Sequence, residues 1–219
     1  MKRSYDAEIM DDFSIQDERI DNALHELKLI NKYLGGISTT KSALNYFIKS
    51  KDQKVTVLDI GSGSSDNLIA AKNQFSQLQI ISLDKNLRVL NNSENFSKKI
   101  NSDAFYLPMK NDSFDIIHAA LFLHHFNEEQ ILKLLKEFLR IAKKGIVIND
   151  LQRSYFALLG IRILTLLFSK SEMVKNDGPL SVRRGFIKSE LLKLLSYAGI
   201  KKFFIKKKWA FRWMVVIKK

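Results

Sequence analysis

Two groups of residues in this chain have the types and spacing for chemistry. The first is the run Asp59-Ile60-Gly61-Ser62-Gly63-Ser64-Ser65, followed on the next apolar stretch by Asp84. Residues 54–59 read as a strand, so the glycines fall where the chain turns toward a helix and the backbone can approach a ligand closely. Asp84 ends a second strand over residues 79–83. That is the place of a carboxylate that accepts hydrogen bonds from ribose hydroxyls. Alone, Asp84 would read as a turn residue; beside the glycine turn, ribose binding is the better reading. A nicotinamide fingerprint needs a third glycine where Asp66 stands, and an acid at that helix N-terminus opposes a diphosphate. No Gly-Lys-Ser/Thr follows, which excludes a P-loop. The second group is His124-His125, after an apolar strand over residues 114–119, with Arg183-Arg184 further on.

The elements that must position these groups alternate between strand and helix, the pattern of an α/β fold with a largely parallel sheet. Two helical segments come first. Over residues 17–34, Ile20, Leu24, Leu27 and Ile30 share one face, and Gly35-Gly36 stops the helix. Thr39 or Thr40 opens the second. After the glycine turn, a helix over residues 65–75, the Asp84 strand, a helix near Asn86 and a short strand over residues 100–104 follow in order. Asn127, with Gln130 three residues on, caps an amphipathic helix over residues 128–142, and residues 145–149 form a fifth strand. Residues 153–186 are an insertion with its own apolar helix and a turn at Asn176-Asp177-Gly178-Pro179. A helix capped by Ser189 and two alternating strands, residues 201–207 and 210–217, end the chain; so short a link makes them an antiparallel hairpin. The fold expected is Rossmann-like α/β, a seven-stranded, mostly parallel sheet with a C-terminal antiparallel hairpin. One domain spans 1–219: N-terminal helices 1–50, core 54–150, insertion 153–186, and helix and hairpin 187–219.

Composition narrows the class. Apolar residues make up 46%, with two prolines and no cysteine, which removes disulfides and Cys-based metal sites. No metal ligand is assigned. The apolar run at 155–168 contains Arg162 and is too short to span a bilayer, so a soluble, cytoplasmic protein is expected. The formal charge of +13 is uneven, with a basic segment after Lys201 and acid-rich first residues. Such a surface can attract nucleic acid, anionic lipid or an acidic substrate. No aromatic-plus-basic RNA-binding motif accompanies it, and a solvated face is the plainer reading.

Val57-Leu58-Asp59-Ile60-Gly61-Ser62-Gly63 resembles the first motif of class I S-adenosylmethionine-dependent methyltransferases, and Ser82-Leu83-Asp84 the second. Ser102-Asp103-Ala104, Leu107-Pro108 and Asn111-Asp112-Ser113-Phe114-Asp115-Ile116-Ile117 resemble the third and fourth. The match runs over residues 54–150; Ser65 departs from it, where many members carry a third glycine. More narrowly, Leu121-Phe122-Leu123-His124-His125-Phe126, Met10-Asp11-Asp12 and Asn149-Asp150-Leu151 are similar to a bacterial subgroup of small-molecule methyltransferases associated with secondary-metabolite pathways. The resemblance implies S-adenosylmethionine as cofactor. Gly61 and Gly63 would back its methionine and ribose, Asp59 would support the ammonium through the turn, and Asp84 would hold the ribose diol. Asp103 and Ala104 would face the adenine; Ala120 and Leu121 would lie near the sulfonium.

Methyl transfer is an in-line displacement, so alignment and exclusion of water supply most of the catalysis. A phenol or enol acceptor also needs a base, and His124 or His125 sits at the expected mouth. The competing reading is that one histidine packs or caps while the other is solvated. The insertion offers Tyr155, Phe156, Leu159 and Ile163 as the roof of an apolar pocket, or as a core-facing helix, the reading favoured for most of them. Arg183 and Arg184 could hold an anionic group of the acceptor or be surface charge, and the N-terminal helices could form a lid. The function expected is methyl transfer to a small hydrophobic or aromatic acceptor, at oxygen or carbon. The alternatives are an RNA or protein methyltransferase using the basic C-terminal surface and, last, a non-catalytic cofactor-binding protein. Oligomeric state is not readable.

Overall fold

The computed structural model describes residues 1–91 and 98–219. Five parallel strands, β1 (Val55–Ile60), β2 (Leu78–Asp84), β3 (Lys98–Asn101), β4 (Phe114–Ala120) and β5 (Ala142–Leu151), form most of one sheet. The antiparallel pair β6 (Phe203–Lys208) and β7 (Arg212–Lys218) completes it, in the order β3-β2-β1-β4-β5-β7-β6. Adjacent residues of a strand point to opposite faces, and both faces here are covered. Val57, Ile116, Val147 and Val216 pack with Leu44 of α2 (Gly36–Leu44) and Leu68 of α3 (Asp66–Ala71). Their neighbours Leu58, Ile117, Ile146 and Val215 pack with α5 (Glu128–Ile141) and α8 (Lys188–Tyr197), through Phe138 and Leu194. Two-sided burial is why these strands read as near-continuous apolar runs.

The strand order reverses between β1 and β4, the place where an α/β sheet opens a crevice beyond its carboxyl ends. Over that crevice lie α1 (Glu18–Tyr33), α4 (Leu87–Asn91) and α7 (Glu172–Arg184), joined by Ile20, Leu24, Val89, Met173 and Val174. The predicted capping box is present: the Gln130 N–H donates to Asn127 Oδ1 at 2.9 Å, and the Asn127 N–H to Gln130 Oε1 at 3.0 Å.

Three expectations are corrected. The third strand is residues 98–101, and Asp103 and Ala104 lie in the turn after it. Residues 176–179 are not a turn; they continue α7 through Pro179. Tertiary partners override the turn signal there. The Asp177 carboxylate accepts the N–H groups of Ile9 and Met10 at 2.8 and 3.0 Å, and Gly178 lets α6 (Tyr155–Phe168) pack closely, since a Cβ there would stand 3.3 Å from Ile161. Finally, α6 neither faces the core nor roofs the crevice: Tyr155, Phe156, Leu159, Ile163 and Leu167 are all exposed.

Candidate active site at the carboxyl ends of the strands

A cleft of about 500 Å³ opens at the ends of β1, β2 and β4. On its floor, Gly61 (φ +59°) and Gly63 (φ +52°) make the strand-to-helix turn in the left-handed region. The two glycines serve different ends. A Cβ on Gly61 would stand 2.1 Å from the Phe122 ring, whereas one on Gly63 would meet nothing within 4 Å. Gly61 is therefore sealed by Phe122, and Gly63 has open space beside it. Ser65 takes the left-handed conformation (φ +57°) where a third glycine would stand, at a cost of about 1–2 kcal/mol. It is buried and shares a 2.7 Å hydroxyl hydrogen bond with Ser82.

Asp84 closes the turn from the next strand. Its Oδ2 accepts the Gly63 N–H at 3.0 Å and its Oδ1 the Asn86 N–H at 2.9 Å. Burial still pushes this carboxyl above its ordinary value. Each carboxylate oxygen has capacity for another donor, which a ribose diol would supply. Asp103 is held below its usual range: partial burial is outweighed by the Phe105 N–H at 3.0 Å and the Lys85 ammonium at 2.9 Å. Ala104, Ala120 and Leu121 line the same cleft, and Leu121 is another non-glycine residue with positive φ, +52°. Asp59 is buried, with its Oδ1 2.7 Å from His118 Nδ1.

That last contact belongs to a buried chain of polar contacts. Arg212 donates to Asn149 Oδ1 at 3.3 Å, and the Asn149 amide donates to Thr40 Oγ1 at 3.1 Å. The Thr40 hydroxyl lies 3.0 Å from His118 Nε2, and His118 Nδ1 lies 2.7 Å from Asp59 Oδ1. Sequence reasoning passed over His118 and Arg212 and took Thr40 only as a helix start, whereas α2 begins earlier, at Gly36. The signal was available for the first of these, a histidine inside an otherwise apolar strand.

The opposite wall carries the histidine pair. His124 is buried between two acids: Nδ1 is 2.7 Å from Asp150 Oδ1, and Nε2 is 3.6 Å from Glu8 Oε1. Burial pulls its pKa down, but Asp150 and then Glu8 outweigh that and raise it to about 9. Asp150 and Glu8 are held low in turn, burial being outweighed in each by the charge and contact of His124. His125 is more open and lines the cleft, its Nδ1 2.8 Å from Asp11 Oδ1. Burial opposes ionisation of Asp11, but His125, the Glu8 backbone and Arg184 together depress its carboxyl strongly. Glu8, His124 and His125 present atoms within 4.8 Å of one another, a spacing that alone would suit a cation. Here Glu8, Asp11 and Asp150 already face the His124 imidazolium, Arg184 and Arg212, so the charges balance without one.

The remaining expected acceptor residues lie elsewhere. Arg184 is buried and structural: it donates to Asp11 Oδ2 at 2.8 Å and to the carbonyls of His125 at 2.7 Å and His124 at 3.3 Å. Arg183 is partly exposed beside Asp6, at 3.8 Å, and Tyr155 is 69% exposed; neither lines the cleft. In their place Met10, Phe13, Leu24 and Leu27 give the cleft its apolar wall.

A parallel sheet with this strand order, a glycine turn on β1 and an acid ending β2 define a nucleoside-binding α/β domain of methyltransferase type. Residues 58–148 match the model of the methyltransferase domain family. None of the curated proteins matches the chain. Among solved structures, human N-acetylserotonin methyltransferase with S-adenosylmethionine aligns at TM-score 0.67 and 18% identity, over 94% of this chain and 57% of that one. The plantazolicin methyltransferase BpumL with S-adenosylhomocysteine aligns at TM-score 0.66 and 16% identity, over 96% and 98%. A methyltransferase from Aquifex aeolicus aligns at TM-score 0.62 and 17% identity, over 89% and 97%. The chain thus spans less than two thirds of the length of the human enzyme, and 60% of a Nostoc punctiforme neighbour. Residues 58–148 thus match a methyltransferase domain, on the fold of solved methyltransferases that hold S-adenosylhomocysteine or S-adenosylmethionine. The donor set fits that molecule: carboxylates for a ribose diol and an ammonium, and no cradle for phosphates.

Proposed function

We propose that the protein transfers the methyl group of S-adenosylmethionine to a small hydrophobic or aromatic acceptor, at oxygen or carbon. The observation that carries this reading is one cleft holding the Gly63–Asp84 floor, an apolar wall and a histidine paired with an acid. The cofactor supplies the electrophilic methyl. The chain's part is to hold the ribose on Asp84, exclude water with Met10, Phe13 and Leu27, and take a proton from the acceptor. His125 suits that last role better than His124. With its pKa near 9, His124 already holds its proton at neutral pH, while Asp11 orients His125 and stays ionised beside it. Arg184 acts as a positioning residue through the two histidine carbonyls. The RNA or protein reading has the formal charge of +13 in its favour.

Methyl-labelled S-adenosylmethionine incubated with a panel of phenols, enols and indoles tests the proposal. Label is expected in solvent-extractable product, with His125→Asn lowering the single-turnover rate by about 100-fold or more. S-adenosylhomocysteine affinity should stay as in the wild type. Label recovered only in RNA or precipitated protein would overturn the small-acceptor reading, and an unchanged rate in His125→Asn would remove the base.

A further inference from the structure

The helix α6 presents an apolar face to solvent. Over one broad arc it exposes Tyr155, Phe156, Leu159, Ile163, Leu166 and Leu167, each at least half exposed, and Phe168 at its end is 78% exposed. Arg162 is the single charged residue in the helix. A surface helix ordinarily turns its polar side outward and its apolar side to the core; here the inward contacts go through Ala157 and Thr165, and the apolar side is left over. A contiguous exposed patch of this kind marks an interaction site.

Beside it lies a second cleft, separate from the cofactor site, lined by Arg162, Lys175 and Arg183 together with Thr165, Leu166 and Asn176. Asp6 also borders this cleft, 3.8 Å from Arg183, and Lys175 lies 2.7 Å from Glu172. Three cations thus rim one flank of the apolar face. The helix is about 21 Å long, and no helix among the described residues is long and apolar enough to cross a membrane. An apolar face with basic residues at its edge is the arrangement of a helix lying in the plane of a bilayer interface. The formal charge of +13 repels a second copy of the chain and attracts a negative surface.

We propose that α6 seats the protein on an anionic phospholipid surface, its apolar face entering the headgroup–acyl boundary while Arg162, Lys175 and Arg183 meet lipid phosphates. The placement does not depend on which acceptor is methylated.

Sedimentation with sucrose-loaded vesicles tests it, using phosphatidylglycerol–phosphatidylcholine mixtures against phosphatidylcholine alone. The wild type is expected to pellet with the anionic vesicles, and to do so about tenfold less with the neutral ones or for Leu159→Glu/Leu166→Glu. Arg162→Glu/Lys175→Glu should lose the preference for anionic lipid. S-adenosylhomocysteine binding by each variant, unchanged, verifies that it is folded. Equal, weak pelleting of the wild type with both vesicle types would overturn the proposal, as would anionic binding that survives Leu159→Glu/Leu166→Glu. A wild-type dimer that this double variant splits, with no vesicle binding, would overturn it too and assign the face to a second copy.

Discussion

Asp84→Ala is expected to weaken S-adenosylhomocysteine binding by about 3 kcal/mol, roughly 100-fold in Kd by titration calorimetry. The carboxylate is mostly buried at the cleft floor and already accepts the Gly63 and Asn86 N–H groups. A ribose diol would add two hydroxyl donors to an acceptor with capacity to spare, and hydrogen bonds to an ionised partner are the stronger kind. Truncation removes both and also frees the Gly63 N–H, so the turn itself loosens. Asp84→Asn keeps one acceptor oxygen and should lose about tenfold. Wild-type affinity in both variants would remove Asp84 from the cofactor site.

Asp150→Ala should lower the unfolding free energy by about 3–5 kcal/mol, because it strands a buried cation. Asp150 is fully buried, with His124 Nδ1 at 2.7 Å and the guanidinium of Arg212 close enough to feel its charge. Arg212 is itself buried, which draws its pKa down to about 10 against the pull of Asp150. The pH dependence carries the same information. The folded pKa of His124, about 9, lies above its ordinary value of 6.5. Its contribution is therefore complete below pH 6.5 and is lost as pH rises through 9. Urea titrations between pH 6 and 10 should show the wild type losing stability over that span, and Asp150→Ala should lack most of the slope. At the acid end, the depressed Asp150 and Glu8 carboxyls contribute stability that disappears as they protonate. A variant with wild-type slope would show that His124 is not held by Asp150.

The parts legible in the sequence were those where one local rule decides. A glycine turn after an apolar run, an acid ending the next strand, and an Asn–Gln capping box each carry their reason within a few residues. The mostly parallel sheet and its antiparallel end followed from the rhythm of elements and one short link. The wall of the cleft was not legible, because it is assembled over long separations. Glu8 meets His124, Asp11 meets both His125 and Arg184, and Asp177 holds the amides of Ile9 and Met10. No periodicity records such pairings. The Arg183-Arg184 pair shows the difficulty well: adjacent and identical in type, one is half-exposed beside Asp6 and the other is buried under the histidines. In α6 the apolar pattern was read correctly as apolar and wrongly as inward, since hydrophobicity says that a face seeks cover without saying what covers it.

The buried chain from Arg212 to Asp59 gives the C-terminal hairpin a second consequence. The series runs from β7 past β5 to the end of β1, beside the glycine turn. A guanidinium cannot accept a hydrogen bond, so Asn149 turns its Oδ1 to Arg212 and its amide nitrogen to Thr40 and the Gly36 carbonyl. The last strand thus reaches, from the other side of β5, into the polar contacts beneath the glycine turn. Replacing Arg212 by an apolar residue would take one donor from Asn149 Oδ1 and leave that amide held by the Gly36 carbonyl and Thr40 alone.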